Sequence, residues 1–183
     1  MAIAFMTLLQ AIGPDYFRYQ QTLVENGQLW RYLSAHWVHV GWMHLLLNAA
    51  GLAICVSLTQ PRWSPRRWLI CSVVIGLGIS LMLALNNPEV RDYAGLSGVL
   101  FGLYLLTALS LYPRDRLIAV LIIAALLVKV GSEQFTSLEF NSSELIGARV
   151  IHDAHLYGLL MAIAIALASA RYTMNHRPDR QSN

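Results

Sequence analysis

Charged residues divide the chain into a few long apolar stretches. No Asp, Glu, Lys or Arg occurs from Tyr32 to Leu58, from Trp68 to Leu85 or from Tyr93 to Tyr112. Leu117 to Gly131 is broken only by Lys129, near its end, where a long side chain can snorkel. Val150 to Ala170 is broken only by Asp153. A spanning helix needs about 20 mostly apolar residues. The alternation of a barrel strand is missing, so these runs read as helices. Met1 to Pro14 is also uncharged, but it makes only about 21 Å of helix at 1.5 Å per residue. It lacks the Lys or Arg that starts a signal peptide, and it is read as a first span that is short, or clipped by a misplaced start. The pattern predicts an all-α membrane protein of six transmembrane helices, roughly 1–13, 36–59, 67–86, 95–112, 116–131 and 149–171. They form one domain over residues 1–183, with both termini on one side.

Composition agrees. Apolar residues are 56% of the 183 and charged residues 13%, against about 25% charged in a soluble domain. Disorder, a disulfide-stapled mini-protein and a collagen-like fibre are excluded. The charges are sorted as the topology requires. Segments after the second, fourth and sixth spans hold Arg62, Arg66, Arg67, Arg114, Arg116, Arg171, Arg177 and Arg180 against Asp115 and Asp179, a balance of +6. The remaining segments, with Asp153, balance at −3. The positive-inside rule then places both termini in the cytoplasm. The basic pI near 9.1 reflects that sorting and gives no support to nucleic-acid binding. Two longer connectors face outward, roughly Gly13 to Leu29 and Ser132 to Ala148. The second holds Glu133, Phe135, Glu139 and Phe140 and is either a surface-lying lid or a plain connector.

Polar side chains within a span are expensive and need an account. The second span holds His36, His39, His44 and Asn48. The fourth begins Gly95-Leu96-Ser97-Gly98, and the sixth holds His152, Asp153 and His155. Ser97 and His155 fall at similar depth on different helices, the arrangement a nucleophile and its base require. Small residues at Gly98 and Gly102, and at Ala154, Gly158, Ala162, Ala166 and Ala170, let the fourth and sixth helices approach closely. Taken alone, such stripes more often only pack helices. Gly95 and Gly98 free the backbone amides to face an oxyanion at a helix N-terminus. His44 and Asn48, four apart, share one face and are either donors to that oxyanion or an interhelical clamp. Asp153 is two residues before His155, on another side of the helix, so it reads as structural and paired with Arg149, leaving a Ser–His dyad. A metal centre is the weaker alternative. No HExxH occurs, and Cys55 and Cys71 lie toward the cytoplasmic side as buried free thiols.

These residues together resemble the rhomboid family of intramembrane serine proteases. The family's GxSG reads here Gly95-Leu96-Ser97-Gly98, its AHxxG reads Ala154-His155-Leu156-Tyr157-Gly158, and its HxxxN matches His44 and Asn48. His39 matches a further histidine five residues earlier, and Trp30 and Arg31 match the Trp-Arg pair of the first outer loop. Three positions depart. Val150 and Ala162 stand where glycine is common, and Phe101 stands where bacterial members place a tyrosine against the histidine.

The resemblance implies a six-helix rhomboid-like bundle with Ser97 as nucleophile and His155 as base, hydrolysing or transferring a peptide bond. Asn48, His44 and amides near Ser97 would hold the oxyanion. It implies membrane-anchored protein substrates, no metal or organic cofactor and no nucleic-acid partner. It also implies a bacterial inner membrane with the site open to the periplasm. Small size, no extra soluble domain and the His152-Asp153-Ala154-His155 stretch resemble the rhombosortase branch, which processes proteins ending in Gly-Gly, a transmembrane segment and a basic tail. The rival readings are a non-catalytic rhomboid-like factor that binds or guides membrane clients, and a histidine-lined carrier. Oligomeric state is not legible in the sequence.

Overall fold

The computed structural model describes residues 1–59, 62–135, 146–147 and 149–175. Glu139, Phe140, Arg177, Asp179 and Arg180, which entered the reading of the outer connector and the charge balance, lie outside the described residues. Among the described residues eight α-helices follow in order: α1 (Ala2–Ile12), α2 (Gln21–Glu25), α3 (Arg31–Ser34), α4 (Trp42–Thr59), α5 (Pro65–Asn86), α6 (Ser97–Leu111), α7 (Arg116–Phe135) and α8 (Asp153–Asn175). The six long ones, α1 and α4 to α8, answer to the six expected spans. α4, α5, α7 and α8 are long and apolar enough to cross a membrane, and α1 and α6 are shorter apolar helices. Fifteen residues of α6 measure about 23 Å against an apolar bilayer core of about 30 Å. With Leu111 at one interface, Ser97 therefore stops short of the other.

α6 is the centre of the bundle and packs against α4, α5, α7 and most extensively α8. That last contact depends on absent side chains. A Cβ on Gly98 would meet Ala154 O at 2.6 Å, one on Gly102 would meet Gly158 O at 2.6 Å, and one on Gly158 would run into Gly98 O. Around this seam Ile75, Ile79, Val99, Leu103, Ala154 and Ala162 are buried. Leu117, Leu121, Leu127 and Val128 of α7 face outward, as expected of a helix whose solvent is lipid.

The connector expected over 13–29 is folded rather than plain. It carries a 3-10 turn at Pro14–Tyr16, strand β1 (Tyr19–Gln20) and α2. β1 pairs antiparallel with β2 (Asp92–Tyr93), Tyr19 opposite Tyr93. The buried Arg31 guanidinium donates to Gln28 Oε1, Asp15 O and Arg18 O at 2.7, 2.9 and 2.6 Å, so one planar group satisfies three acceptors of this cap. Ser34 Oγ donates to Phe17 O at 2.6 Å.

Several helix boundaries differ from expectation. The second long helix begins at Trp42 rather than near 36, which puts His36 in a 3-10 turn and His39 in an extended approach. The reason is a contact with a distant part of the chain. The buried Gln10 amide donates to His39 O and accepts from His39 N–H, both at 2.9 Å, so this peptide bonds to α1 and not to a helix of its own. The fifth long helix runs on past Gly131 to Phe135. Its added charge, Glu133, lies 3.0 Å from Lys129 one turn earlier, an i,i+4 pair that makes the extension affordable in an apolar setting. The sixth starts at Asp153, not 149.

Candidate active site

Gly95 sets the entry to α6. Its φ of 139° lies in the region that side-chain-bearing residues avoid. A Cβ there would also sit 2.7 Å from His44 Cε1. Gly95 N–H donates to Ala35 O at 3.0 Å and Tyr93 Oη donates to Gly95 O at 3.0 Å. The chain thus arrives pinned from both sides, and the helix begins two residues later with Ser97. The expected depth of Ser97, two residues inside its helix, is corrected to the first helical residue, because Gly95 is not in a helical conformation. Leu100 N–H bonds Leu96 O at 2.9 Å as the first intrahelical link. By helix geometry, the amides of Ser97, Gly98 and Val99 then have no acceptor within the helix.

His155 stands on the third residue of α8, brought up by the glycine seam. Its Nε2 lies 2.9 Å from Ser97 Oγ. The other ring nitrogen, Nδ1, lies 2.8 Å from Glu133 Oε2 on α7. Phe101, one turn after Ser97 on the same face, stacks on the imidazole with centroids 4.1 Å apart and planes 4° from parallel. His155 is 4% exposed, so three neighbours on two helices fix the ring within a packed environment.

Ser97, His44 and two cavities meet here. One, about 470 Å³, is lined by His44, Asn48, Ser97, Phe101, Tyr104, Lys129 and His155, with Leu47, Ile122 and Leu126 making its apolar flank. The other, about 350 Å³, reaches Ser97 and His44 past Arg18, Glu89, Arg91, Asp92 and Arg149. Ser97 therefore sits between a mainly apolar opening bordered by α4 and α7 and a charged mouth under the outer cap. At that mouth Arg18 pairs with Asp15 and Asp92 at 2.9 and 3.3 Å. Burial pushes the Asp92 carboxyl above the usual range, against the pull of Arg18.

The other residues singled out from the sequence separate into neighbours and supports. Asn48 lines the Ser97 cavity, and one of its amide hydrogens is donated to His44 O at 2.9 Å. Its second N–H is not needed for that bond. His39 is fully buried and meets His44 edge to face at 5.0 Å. His36 Nε2 is 3.0 Å from Ser80 Oγ, which itself donates to Tyr32 O at 2.5 Å. Trp30 and Arg31 line neither cavity, and Arg31 organises the cap instead. The Arg149 pairing expected for Asp153 is replaced. Arg149 precedes α8 and is not on it, and Asp153 accepts from Asn87 Nδ2 at 2.9 Å and Gln134 Nε2 at 3.5 Å. Asn87 also accepts from Tyr157 Oη at 2.7 Å, so this network ties the ends of α5, α7 and α8. Among the described residues, no three His, Cys, Asp or Glu side chains are grouped to hold a metal ion.

Glu133 was missed as a site residue, being assigned to the outer connector as a charge that ends a span. The available signal was its i,i+4 spacing from Lys129, which marks a continuing helix.

A family model described as a rhomboid domain matches residues 26–172. RHOMBOID-like protein 5 of Arabidopsis thaliana is 32% identical over 122 residues, 61% of this chain and 39% of that protein. Rhomboid-like protease 5 of Toxoplasma gondii is 31% identical over 150 residues, 79% of this chain and 17% of that protein. Inactive RHOMBOID-like protein 8 of Arabidopsis thaliana is 28% identical over 83 residues, 44% of this chain and 24% of that protein. The chain thus spans well under half the length of these relatives.

Proposed function

The chain belongs to the rhomboid family, a multi-pass membrane protein, and on that premise we propose that it is a serine protease cutting transmembrane proteins with Ser97 and His155. The observation that carries this reading is the 2.9 Å contact between Ser97 Oγ and His155 Nε2 at the junction of the two cavities. His155 takes the Ser97 proton as Oγ attacks the scissile carbonyl, and the carbonyl π electrons move onto oxygen. Collapse of that adduct breaks the C–N bond, and His155 gives the proton to the leaving amine. The free amides at the start of α6 and the second N–H of Asn48 stabilise the oxyanion. Water then enters through the charged mouth, repeats the attack with His155 as base and releases Ser97.

The apolar opening between α4 and α7 suits a substrate's transmembrane segment, and the charged mouth suits the polar stretch beyond it. α7 is well placed to gate entry, because few of its residues are buried against the rest of the bundle. The arginines at the α4–α5 and α6–α7 turns and at Arg171 fall at the end remote from Ser97. That supports a cytoplasmic face there and a site opening to the periplasm of a bacterial inner membrane, within a single rhomboid-like domain. The rhombosortase assignment adds a specific substrate: Gly-Gly, then a transmembrane segment, then a basic tail.

The test is cleavage of such a substrate in liposomes by wild type, Ser97→Ala and His155→Ala, with a second substrate in which Gly-Gly is replaced by Val-Val. Cleavage lost in both variants supports the protease, and cleavage lost with Val-Val supports the branch. Undiminished cleavage by Ser97→Ala overturns the mechanism and favours a client-binding factor.

A further inference from the structure

Glu133 is a buried titratable group with no part in the proton transfers of the proposed reaction, and its placement is specific. It sits on a helix that supplies neither reacting residue. Its side chain is 4% exposed and the His155 side chain 6%. One carboxylate oxygen meets His155 Nδ1 at 2.8 Å and the other meets Lys129 Nζ at 3.0 Å. Ser97 is on the far ring nitrogen at 2.9 Å. We propose that Glu133 is a positioning residue that holds His155 in the Nδ1–H tautomer, so that Nε2 presents its lone pair to Ser97. This inference rests on the protease reading and replaces its two-residue centre with a Ser97–His155–Glu133 relay of roles.

The chemistry follows from the donor inventory. A neutral imidazole carries one N–H, and a carboxylate only accepts, so Nδ1 beside Glu133 is the nitrogen that keeps the hydrogen. Nε2 is then the acceptor for the Ser97 hydroxyl. When Ser97 attacks, its proton moves to Nε2 and the ring becomes a cation with N–H on both sides. Glu133 faces the Nδ1 side of that cation and lowers its energy without taking the proton. The Lys129 ammonium, one turn earlier, pairs with the second oxygen of Glu133 at 3.0 Å and favours the carboxylate orientation that leaves the first oxygen on the ring.

This geometry makes a distinctive prediction for Glu133→Gln. Lys129 has three donors and no acceptor, so it draws the amide oxygen to itself. The amide NH2 then faces Nδ1, and the ring answers with the Nε2–H tautomer, which cannot accept from Ser97. Adding Lys129→Met releases the amide to turn its oxygen toward Nδ1–H. A role confined to neutralising Lys129 predicts no such reversal.

The experiment uses the full chain in detergent. It measures the second-order rate of Ser97 labelling by a fluorescent fluorophosphonate and the His155 tautomer by 15N NMR of labelled imidazole, assigned with His155→Gln. Wild type is expected to be labelled and to show Nδ1–H. Glu133→Gln is expected to label at least 100-fold more slowly and to show Nε2–H. Glu133→Asp, which keeps a carboxylate, should label within tenfold of wild type, and Lys129→Met with Glu133→Gln should label at least tenfold faster than Glu133→Gln alone. Labelling of Glu133→Gln within threefold of wild type overturns the proposal, as does an Nε2–H tautomer in wild type, which needs no variant to fold. Wild type that labels no faster than Ser97→Ala overturns the protease reading as well, so the two failures are told apart.

Discussion

Gly158 of α8 lies directly against the Gly98 carbonyl of α6, with no room for a side chain between the two helices. This seam is what carries His155 to Ser97, because each residue adjoins it. Gly158→Val is expected to destabilise the protein by about 3 kcal/mol or more, at the upper end for overpacking, since the obstruction is backbone and not a movable side chain. Gly131→Ala is the contrasting case. A Cβ there meets nothing within 4 Å, and helix propensity favours Ala by about 1 kcal/mol. Thermal unfolding in detergent should show a lowered midpoint for the first and an unchanged or raised one for the second. Equal losses in both would mean the seam is not where close approach is required.

Gly95 meets two separate demands, its backbone conformation and the space taken by His44. Gly95→Ala should therefore lower both stability and the rate of Ser97 labelling, each by tenfold or more in the corresponding constant. In the double variant with His44→Ala the collision at 2.7 Å is gone, but a φ of 139° remains. Stability is expected to recover only in part. Full recovery would show that sterics with His44 were the whole constraint and that this turn relaxes readily.

Much of this was legible in advance, and the failures have identifiable causes. Charge-free runs located all six long helices, and the spacing of Ser97, His155, Gly98 and Gly158 anticipated which helices meet. Boundaries failed where a polar side chain bonds a distant part of the chain. Gln10 holds the peptide of His39 from twenty-nine positions away, so the uncharged stretch at 36–41 does not continue as an α-helix. Glu133 ends an apolar run on paper, but Lys129 and His155 take its two oxygens and the helix continues. Asp153 was assigned to Arg149 by a helical spacing that does not exist, because α8 begins at Asp153 itself. The errors at His39 and Asp153 concern tertiary partners, which local periodicity does not encode, whereas the Lys129–Glu133 spacing is local and marks the continuing helix.

Phe101 keeps the imidazole face covered at 4.1 Å, while its own chemistry takes no part in proton transfer. Phe101→Ala is expected to slow cleavage by roughly tenfold, through a looser His155, with the value set by about 0.5–1.5 kcal/mol for such an aromatic contact. Phe101→Tyr keeps the ring and should stay within threefold of wild type. The rates of Ser97 labelling by a fluorophosphonate would show the split, and an equal loss in both variants would mean that the stacked ring is not what this position contributes.

Asn48 offers a sharper separation of binding from chemistry. Its side chain lines the Ser97 cavity, and one donor is held by His44 O. If the other serves the oxyanion, Asn48→Ala removes an interaction formed only in the transition state. A fall of about 10²–10³ in kcat with little change in KM is then expected. A raised KM at constant kcat would assign Asn48 to substrate binding.

The last prediction concerns α1, a short helix tied to the His39 peptide by one amide. Gln10 is 7% exposed and both donates to and accepts from the His39 peptide at 2.9 Å. Gln10→Leu removes both bonds and leaves a buried N–H and C=O unsatisfied, which costs about 1–3 kcal/mol for each such group. Gln10→Glu distinguishes hydrogen bonding from mere filling of space. A carboxylate still accepts from His39 N–H but has no hydrogen for His39 O, and an ionised one places its charge against that carbonyl. Gln10→Glu should thus be at least as destabilising as Gln10→Leu, despite its closer shape. Thermal midpoints in detergent decide it: a Glu variant as stable as wild type would mean that α1 is held by its apolar contacts and that the amide clamp is incidental.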